Sequence, residues 1–234
     1  MGGNRGAKRG LLITFEGVEG SGKSTQCARL AKRLREAGHR VLETREPGGT
    51  PLAERIRSLF LGTAAGSAPT EPITPESEAL LVFACRSQHV AHVIAPAISN
   101  GVIVLCDRFM DSTLAYQGYG RGLEVQHLRR LNHFATKGLV PALTLLFDLP
   151  AQTGLARRKR NDLELNRLDR ETKRFHERVR RGFLALAARE PRRVKVLDAR
   201  AAPDDIAAEA WTLVRRLLAR RSAKPTRPAT RKVR

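Results

Sequence analysis

The stretch LLITFEGVEGSGKSTQ, Leu11 to Gln26, joins an apolar run to a glycine-rich segment that ends in a lysine and two hydroxyl residues. The apolar run is typical of a buried strand, and the residues after Gly22 have helical spacing. The segment between them fits the pattern G-x-x-x-x-G-K-[ST], placed between a strand and a helix as its mechanism requires. The residues expected to hold phosphate groups are Gly17, Val18, Glu19, Gly20, Ser21, Gly22, Lys23, Ser24 and Thr25.

This pattern predicts a phosphate-binding loop, or P-loop. Its glycines let successive backbone N–H groups point at phosphate oxygens, and the helix N-terminus adds a favourable dipole. Lys23 would reach the β and γ phosphates of ATP, and the Ser24 hydroxyl could bind Mg²⁺. Nucleotide binding follows, but the reaction does not, because GTPases, motor ATPases and small-molecule kinases share this loop.

The composition predicts one α/β domain between two basic ends. The chain has 234 residues, 41% of them hydrophobic, and a formal net charge of +20. We expect a basic N-terminal extension at 1–10, the P-loop domain at 11–218, and a disordered basic tail at 219–234. The tail could touch nucleic acid or anionic lipid nonspecifically or only aid solubility, and we assign it no activity. Since no apolar run approaches a bilayer span, we expect a cytoplasmic protein with no membrane partner and no specific nucleic acid partner.

Strand and helix patterns alternate along the chain, which favours a mostly parallel sheet flanked by helices. The predicted strands are Leu11–Phe15, Arg40–Thr44, Val102–Cys106, Leu143–Asp148 and Val194–Leu197. The predicted helices are Lys23–Ala37, Pro51–Leu61, Pro75–Ser99, Val125–Thr136, Asp169–Arg189 and Pro203 to about Arg220.

Three further segments resemble the signature blocks of bacterial thymidylate kinases. They are REPGGTPLAERIR (Arg45–Arg57), PESEALLVFACRSQHVAHVIAPAI (Pro75–Ile98) and CDRFMDSTLAYQGYGRG (Cys106–Gly122). With the P-loop, the resemblance runs from about Leu11 to Leu218. It implies a P-loop kinase fold with a five-stranded parallel sheet and a mobile LID segment, a homodimer, and transfer of phosphate from ATP to dTMP for dTTP synthesis, with Mg²⁺ carried by ATP.

The resemblance assigns residues to the acceptor phosphate and the metal. A monophosphate must be held in line with the γ phosphate of ATP, which favours forked arginine donors. Arg57 and Arg108 match the family positions that do this. Asp107, at the end of a predicted strand, would work with Ser24 and Mg²⁺, or could instead cap the following loop. Glu19 matches the carboxylate near the sugar 3′-hydroxyl.

Base selection is expected from the Pro75–Ile98 segment. Phe83 and Arg86 are three residues apart and share a helical face, so the ring could stack on thymine while the guanidinium donates to O4. Family members usually carry the stacking phenylalanine one turn before this arginine, sometimes one residue earlier, where Val82 stands here. A core position for Phe83 therefore stays open.

A second group of pocket residues is implied by the segment after Asp107. Tyr116 and Gln117 resemble the family pair that packs on the deoxyribose and hydrogen-bonds near the base. A tyrosine ring against C2′ would exclude a ribose hydroxyl. Thr113 is expected to line the same pocket.

The basic segment RRKRNDLELNR (157–167) resembles the LID, which we place at about 154–168. Gly20 stands where another subgroup carries a catalytic arginine, so the transferring phosphoryl group needs positive charge from elsewhere. Arg157 and Arg160, with Arg158 and Arg167, are the candidates, although a solvated charged helix is the alternative for any one of them. The family sequence Asp-Arg-x-Glu reads Asn-Arg-Leu-Asp at 166–169, which shortens or displaces a carboxylate that could help to hold Mg²⁺.

Two other functions stay open from the residues alone. A P-loop kinase for another nucleotide or nucleoside would share the Asp107–Arg108 pair. A nucleic-acid-dependent ATPase would explain the basic tail, but no second ATPase motif set accompanies the P-loop.

Overall fold

Five parallel strands form a single sheet in the computed structural model, which describes residues 9–62, 71–160 and 166–222. The strands are β1 (Leu11–Glu16), β2 (Val41–Arg45), β3 (Ile103–Asp107), β4 (Leu143–Asp148) and β5 (Val194–Asp198). Their order across the sheet is β2-β3-β1-β4-β5, so β1 lies at the centre. The predicted α/β fold with a five-stranded parallel sheet is confirmed, and each strand lies within a residue of its predicted position.

Helices cover both faces of this sheet. They are α1 (Lys23–Glu36), α2 (Pro51–Leu61), α3 (Pro75–His89), α4 (Ala95–Ser99), α5 (Met110–Thr113), α6 (Val125–Thr136), α7 (Ala151–Arg160), α8 (Lys173–Arg189) and α9 (Pro203–Ser222). Among the described residues, no helix is long and apolar enough to cross a membrane.

Alternate residues of β1 pack into two separate hydrophobic clusters, one on each face of the sheet. Leu11, Ile13 and Phe15 pack on one face in a cluster that includes side chains of α1 and α9. Leu12 points to the other face and packs against the segment around Ile94. A strand buried on both faces is typical of the centre of a parallel sheet, which explains the continuous apolar run in the sequence.

The predicted Pro75–Ser99 helix contains a wide turn. Thr74 caps it, because its side chain accepts a hydrogen bond from the backbone N–H of Ser77. Residues Val90–Ile94 form a π-helical segment before α4 begins. Pro96 lies at the start of α4 and has no N–H to donate, so the regular ladder cannot continue past it and the turn widens.

A second π-helical segment, Leu114–Gly120, was not predicted, and it packs closely on α8. A Cβ on Gly182 of α8 would lie 2.7 Å from the Tyr119 ring, and one on Gly120 would lie 2.8 Å from Phe175. Glycine at both positions therefore permits the contact. This packing fixes the segment that carries Tyr116 and Gln117.

Two predicted helix boundaries differ from the structure by two residues or more. Helix α8 begins at Lys173 rather than Asp169, because Thr172 caps it by accepting from the Phe175 N–H. Helix α9 continues to Ser222, so the first four residues assigned to the disordered tail are helical. Arg221 there donates to the carbonyl oxygens of Arg9 and Gly10. The rest of the tail, residues 1–8 of the N-terminal extension and LID residues 161–165 lie outside the described residues.

Candidate functional site

A cavity of about 520 Å³ opens at the carboxyl edge of β1, β2 and β3. This is the edge at which open parallel sheets bind ligands. From the phosphate loop and α1 it is lined by Glu19, Gly20, Gly22, Lys23, Ser24 and Thr25. From the predicted acceptor set it is lined by Arg57, Arg86, Asp107, Arg108, Thr113, Tyr116 and Gln117, and from the LID by Arg157, Arg158 and Arg160. The residues expected to hold the donor phosphates and those expected to hold the acceptor phosphate thus line the same cavity.

The P-loop has the backbone that its glycines predict. Gly17, Gly20 and Gly22 have φ angles of 139°, 69° and 86°, which side chains rarely permit. Gly17, Val18 and Ser21 are not among the lining residues but build the loop beneath it, where the Val18 carbonyl oxygen accepts from Lys23 Nζ at 2.8 Å. Burial and the nearby Arg108 guanidinium lower the pKa of Lys23 to about 8. Bound phosphate oxygens would raise this pKa again and keep the Lys23 ammonium charged.

Arg108 holds several groups at the mouth of the loop. Its Nη1 donates to the Gly17 carbonyl oxygen at 3.0 Å, and its Nη2 donates to the Glu19 carboxylate and the Tyr116 hydroxyl. Burial alone would lower the pKa of Arg108, but Glu19 and other acidic neighbours raise it above its usual value. The guanidinium is therefore a permanent cation, and an incoming phosphate could take the place of Glu19 as its partner.

Glu16, which sequence reasoning missed, does not line the cavity but supports the residues that do. Its Oε1 accepts from the backbone N–H groups of Phe109 and Ser112, and its Oε2 lies 2.5 Å from Ser112 Oγ. Burial and the neighbouring Asp111 raise the pKa of Glu16 to about 8. The available signal was an acidic residue at the end of an otherwise apolar strand, directly before the P-loop. Glu16 thereby fastens the chain after Arg108 to β1.

Asp107 and Ser24 form the oxygen pair at the predicted metal position. Ser24 Oγ donates to Asp107 Oδ2 at 2.5 Å, and both residues line the cavity. Within the described ranges, no group of three acidic, histidine or cysteine side chains could hold a metal ion. Such a sparse set fits Mg²⁺, which usually binds one or two protein oxygens together with substrate phosphates and water.

Arg86 is buried and almost fully hydrogen-bonded. It donates to Glu46 Oε2, Thr113 Oγ1, Asn132 Oδ1 and the Phe109 carbonyl oxygen at 2.7–3.0 Å. A guanidinium has five N–H groups. Of these, one on Nη2 has no acceptor among the described residues and is free for a carbonyl oxygen of a ligand.

Of the predicted substrate-binding residues, Phe83 is the one that does not line the cavity. Its ring packs in a buried cluster with Leu114, Leu128 and Leu186. Val82, one residue earlier, lines the cavity instead. The helical rotation between consecutive residues turns Phe83 to the core and Val82 to the cavity.

The LID arginines take different partners. Arg157 donates to the Ala199 carbonyl oxygen at 3.1 Å, Arg158 pairs with Asp169 at 2.6 Å, and Arg167 pairs with Glu78 at 2.7 Å. Arg160 is exposed and lines the cavity. Asp169, the displaced family carboxylate, also accepts from the backbone N–H of residue 166 and does not line the cavity.

Two glycines place α7 directly against the P-loop. A Cβ on Gly154 would lie 2.1 Å from the Glu19 carbonyl oxygen, and one on Gly20 would lie 2.1 Å from the Gly154 carbonyl oxygen. The backbones can therefore approach only because neither residue has a side chain. This contact connects the start of the LID to the loop that would hold ATP.

Comparisons with known proteins agree on one family. The family model described as thymidylate kinase matches residues 15–210. A thymidylate kinase of Thermomicrobium roseum is 52% identical over 92% of this chain and 99% of its own, and one of Geobacter sulfurreducens is 52% identical over 81% and 89%. The crystal structure of thymidylate kinase from Ehrlichia chaffeensis superposes with a TM-score of 0.69 at 32% identity, covering 88% of this chain and 99% of that one.

Proposed function

The chain belongs to the thymidylate kinase family, and we propose that it transfers the γ-phosphoryl group of ATP to dTMP, giving ADP and dTDP. The observation that carries this proposal is the shared cavity, in which Lys23 of the P-loop faces Arg57 and Arg108. Such a cavity can hold two phosphate groups end to end. Both substrates would be met in the cytoplasm, where we place the reaction.

Donor binding rests on the P-loop and the LID. The amides of residues 17–25 and Lys23 would hold the β and γ phosphates. Arg157 and Arg160 reach the same cavity from α7 and would supply positive charge that Gly20 does not. Charge of this kind stabilises the migrating phosphoryl group more than the bound substrate, so it raises the rate of transfer.

Acceptor binding rests on Arg57 and Arg108. Arg57 Nη1 donates to the Pro47 carbonyl oxygen at 2.7 Å, which fixes the guanidinium at the rim of the cavity. The acceptor oxygen of a nucleoside monophosphate is already ionised at neutral pH, so the residues need to position it rather than remove a proton. Tyr116, beside Arg108, would pack on the sugar, and Glu19 would approach its 3′-hydroxyl.

Base binding would use the buried end of the cavity. The remaining Nη2 proton of Arg86 is suited to a carbonyl such as O4 of thymine. Thr113 holds Arg86 in place through a hydrogen bond of 2.8 Å. Val82 offers an apolar surface to the base, in the position where family members sometimes carry the stacking phenylalanine.

ATP and Mg²⁺ are the cofactors implied by the family. We propose that Ser24 and Asp107 hold the ion together with the donor phosphates. The ion would neutralise phosphate charge during transfer.

A homodimer is part of the proposal, and an apolar surface supports it. Helices α2, α3 and α6 pack side by side, and they carry five exposed large apolar residues. We call this surface the three-helix face; it comprises Leu52, Leu59, Leu80, Leu131 and Phe134. Apolar patches of this kind on a folded domain mark contact surfaces, and a second copy of the chain is the occupant that the family implies.

An acceptor panel tests the proposed reaction. The purified full chain with Mg-ATP should give the highest kcat/KM for dTMP among dTMP, dUMP, CMP and AMP. The Lys23→Met variant should lose roughly a hundredfold or more in kcat, because a charge that stabilises the transition state is removed. Equal rates across the panel would remove the dTMP assignment. ADP release that DNA stimulates without dTMP would favour the ATPase alternative.

A further inference from the structure

Glu78 is a buried carboxylate beside the base end of the cavity. It lies in α3 with its side chain fully buried. Its Oε1 accepts from Gln117 Nε2 at 2.8 Å and from Arg121 Nε at 3.2 Å. Its Oε2 accepts from Arg121 Nη2 at 3.0 Å and from Arg167 Nη2 at 2.7 Å. Both oxygens thus serve as acceptors only.

The two arginines keep this carboxylate ionised. Burial alone would raise the pKa of Glu78, but the hydrogen bonds from Arg121 and Gln117 and the charge of Arg167 hold it below the usual value. An ionised carboxylate has no proton to donate. Any group that bonds to it must therefore be a donor.

This requirement fixes the orientation of the Gln117 amide. A glutamine amide can point either its NH₂ or its oxygen at a neighbour, and the two arrangements have the same shape. Only the NH₂ can face Glu78. Gln117 also lines the cavity and is 2% exposed, so its oxygen is the end left for a ligand.

We propose that Glu78 is a positioning residue that makes the pocket select a base with an N3–H donor, by holding the Gln117 oxygen toward the ligand. Thymine and uracil carry this proton on N3, whereas N3 of cytosine is an acceptor and would meet the Gln117 oxygen without a proton between them. The inference rests on the proposed function, because it takes dTMP as the ligand of this end of the cavity.

The Glu78→Gln variant is expected to reverse the donor and acceptor roles between residues 78 and 117 with little change of side-chain shape. Two bonds from Arg121 and Arg167 end on Oε2, so the amide oxygen of the new side chain is expected to stay there, while its NH₂ replaces Oε1 and loses the longer bond from Arg121 Nε. That NH₂ needs an acceptor, so Gln117 would turn over and present its own NH₂ to the cavity. An NH₂ suits N3 of cytosine and repels N3–H of thymine.

The test compares kcat/KM for dTMP and for 5-methyl-dCMP, which keeps the thymine methyl group. We expect Glu78→Gln to lower the ratio of dTMP to 5-methyl-dCMP by about tenfold or more, the effect of one exchanged hydrogen bond in a buried site. Arg86 is unchanged in the variant, so its preference for O4 cancels from the comparison. Thermal unfolding of each variant reports its folding.

Arg121→Lys is the matched control. It disturbs the two hydrogen bonds from Arg121 to Glu78 but keeps a cation beside the carboxylate and leaves the bond to Gln117, so its ratio should equal that of the wild type even where its absolute rates fall. Should Glu78→Gln not fold, Glu78→Ala serves instead, because it frees Gln117 to adopt either orientation and should also lower the ratio.

The outcomes separate this inference from the function. A folded Glu78→Gln or Glu78→Ala variant with the wild-type ratio would overturn the positioning role while leaving dTMP kinase activity intact. A wild-type protein that does not phosphorylate dTMP in the same assay would overturn the function itself. An equal loss of ratio in Arg121→Lys would show a general loosening of the pocket and would also overturn the positioning role.

Discussion

Arg108 has a φ of 68°, a backbone conformation that residues other than glycine rarely adopt. Two contacts hold it there: its own N–H donates to the Phe15 carbonyl oxygen at 2.9 Å, and the next N–H donates to Glu16 at 2.8 Å. Strain of this kind persists only where the surroundings determine it, and it occurs often at functional sites. The direction of the Arg108 guanidinium thus depends on a carboxyl group in the neighbouring strand.

Glu16 leads to a prediction about stability and pH. Its pKa is about 8 in the folded protein against an ordinary value of 4.5, so the folded state keeps a proton that the unfolded state has lost. The contribution of this proton to the free energy of unfolding is complete below about pH 4.5 and is lost as the pH rises through about 8. We expect Glu16→Gln, which keeps one acceptor and gains a donor toward Ser112, to abolish this loss.

Chemical denaturation at several pH values between about 5 and 9 measures the effect. The free energy of unfolding of Glu16→Gln relative to wild type should increase with pH, by on the order of a few kcal/mol in total. A constant difference across this range would show that Glu16 is ionised in the folded protein. Ser58→Ala, at a partly buried helix position away from Glu16, is the control and should give no pH-dependent difference.

At the residue scale, the sequence predicted those site residues that belong to a contiguous pattern. The P-loop residues and Arg108 lie where their motifs place them, because each motif is local. Glu16, Glu46 and Glu78 were missed, since their partners lie 93, 40 and 39 residues away in sequence. For Phe83 the sequence left both a cavity and a core position open, because neighbouring helix positions differ by a large rotation and only packing decides which one faces the cavity.

At the scale of elements, α7 shows why local propensity was not enough. No helix was predicted at Ala151–Arg160, because Gly154 within it lowers helix propensity by about 1 kcal/mol relative to alanine. Gly154 is required by the contact between α7 and the P-loop. The two segments lie far apart in the sequence, so local helix propensity does not reveal this contact. The same holds for the π-helical segment Leu114–Gly120, whose glycines serve its packing on α8.

The Gly154 contact leads to a prediction about catalysis. Gly154→Ala should improve helix propensity while forcing α7 away from the Glu19 carbonyl oxygen, because a Cβ there would be only 2.1 Å from it. The two effects oppose one another in stability, so we expect the melting temperature to change by only a few degrees. Displacing the LID arginines should lower kcat by about tenfold or more, since a small misplacement weakens stabilisation of the transition state.

Steady-state kinetics with dTMP and thermal unfolding of the same samples check this expectation. Gln152→Ala, at an exposed position of the same helix, is the matched control and should keep wild-type kcat. Wild-type kcat in Gly154→Ala would mean that the close approach of α7 does not affect phosphoryl transfer.

At the scale of the whole molecule, the site lies at one edge of the sheet, and the three-helix face is a separate, exposed apolar surface. The cavity lies at the carboxyl edge of the central strands, with residues from the P-loop, β2, β3, α1, α2, α3 and α7 around it. Helices α2 and α3 therefore have two roles: one side of each faces the cavity, through Arg57 and Arg86, and the other contributes to the three-helix face. Dimer formation through that face would stiffen the helices that hold the acceptor.

The dimer leads to the last prediction. Leu80 is 58% exposed on α3 and Phe134 is 80% exposed on α6, so both would be buried if a second copy covered the three-helix face. Burying an unpaired carboxylate there is costly, so Leu80→Glu or Phe134→Glu should weaken dimerisation by about a hundredfold or more. Sedimentation at micromolar concentration should show a dimer for wild type and a monomer for either variant. Val196→Glu, on the edge strand β5 away from this face, is the matched control and should remain dimeric; a dimeric Leu80→Glu variant, or a monomeric wild type, would contradict the proposed assembly.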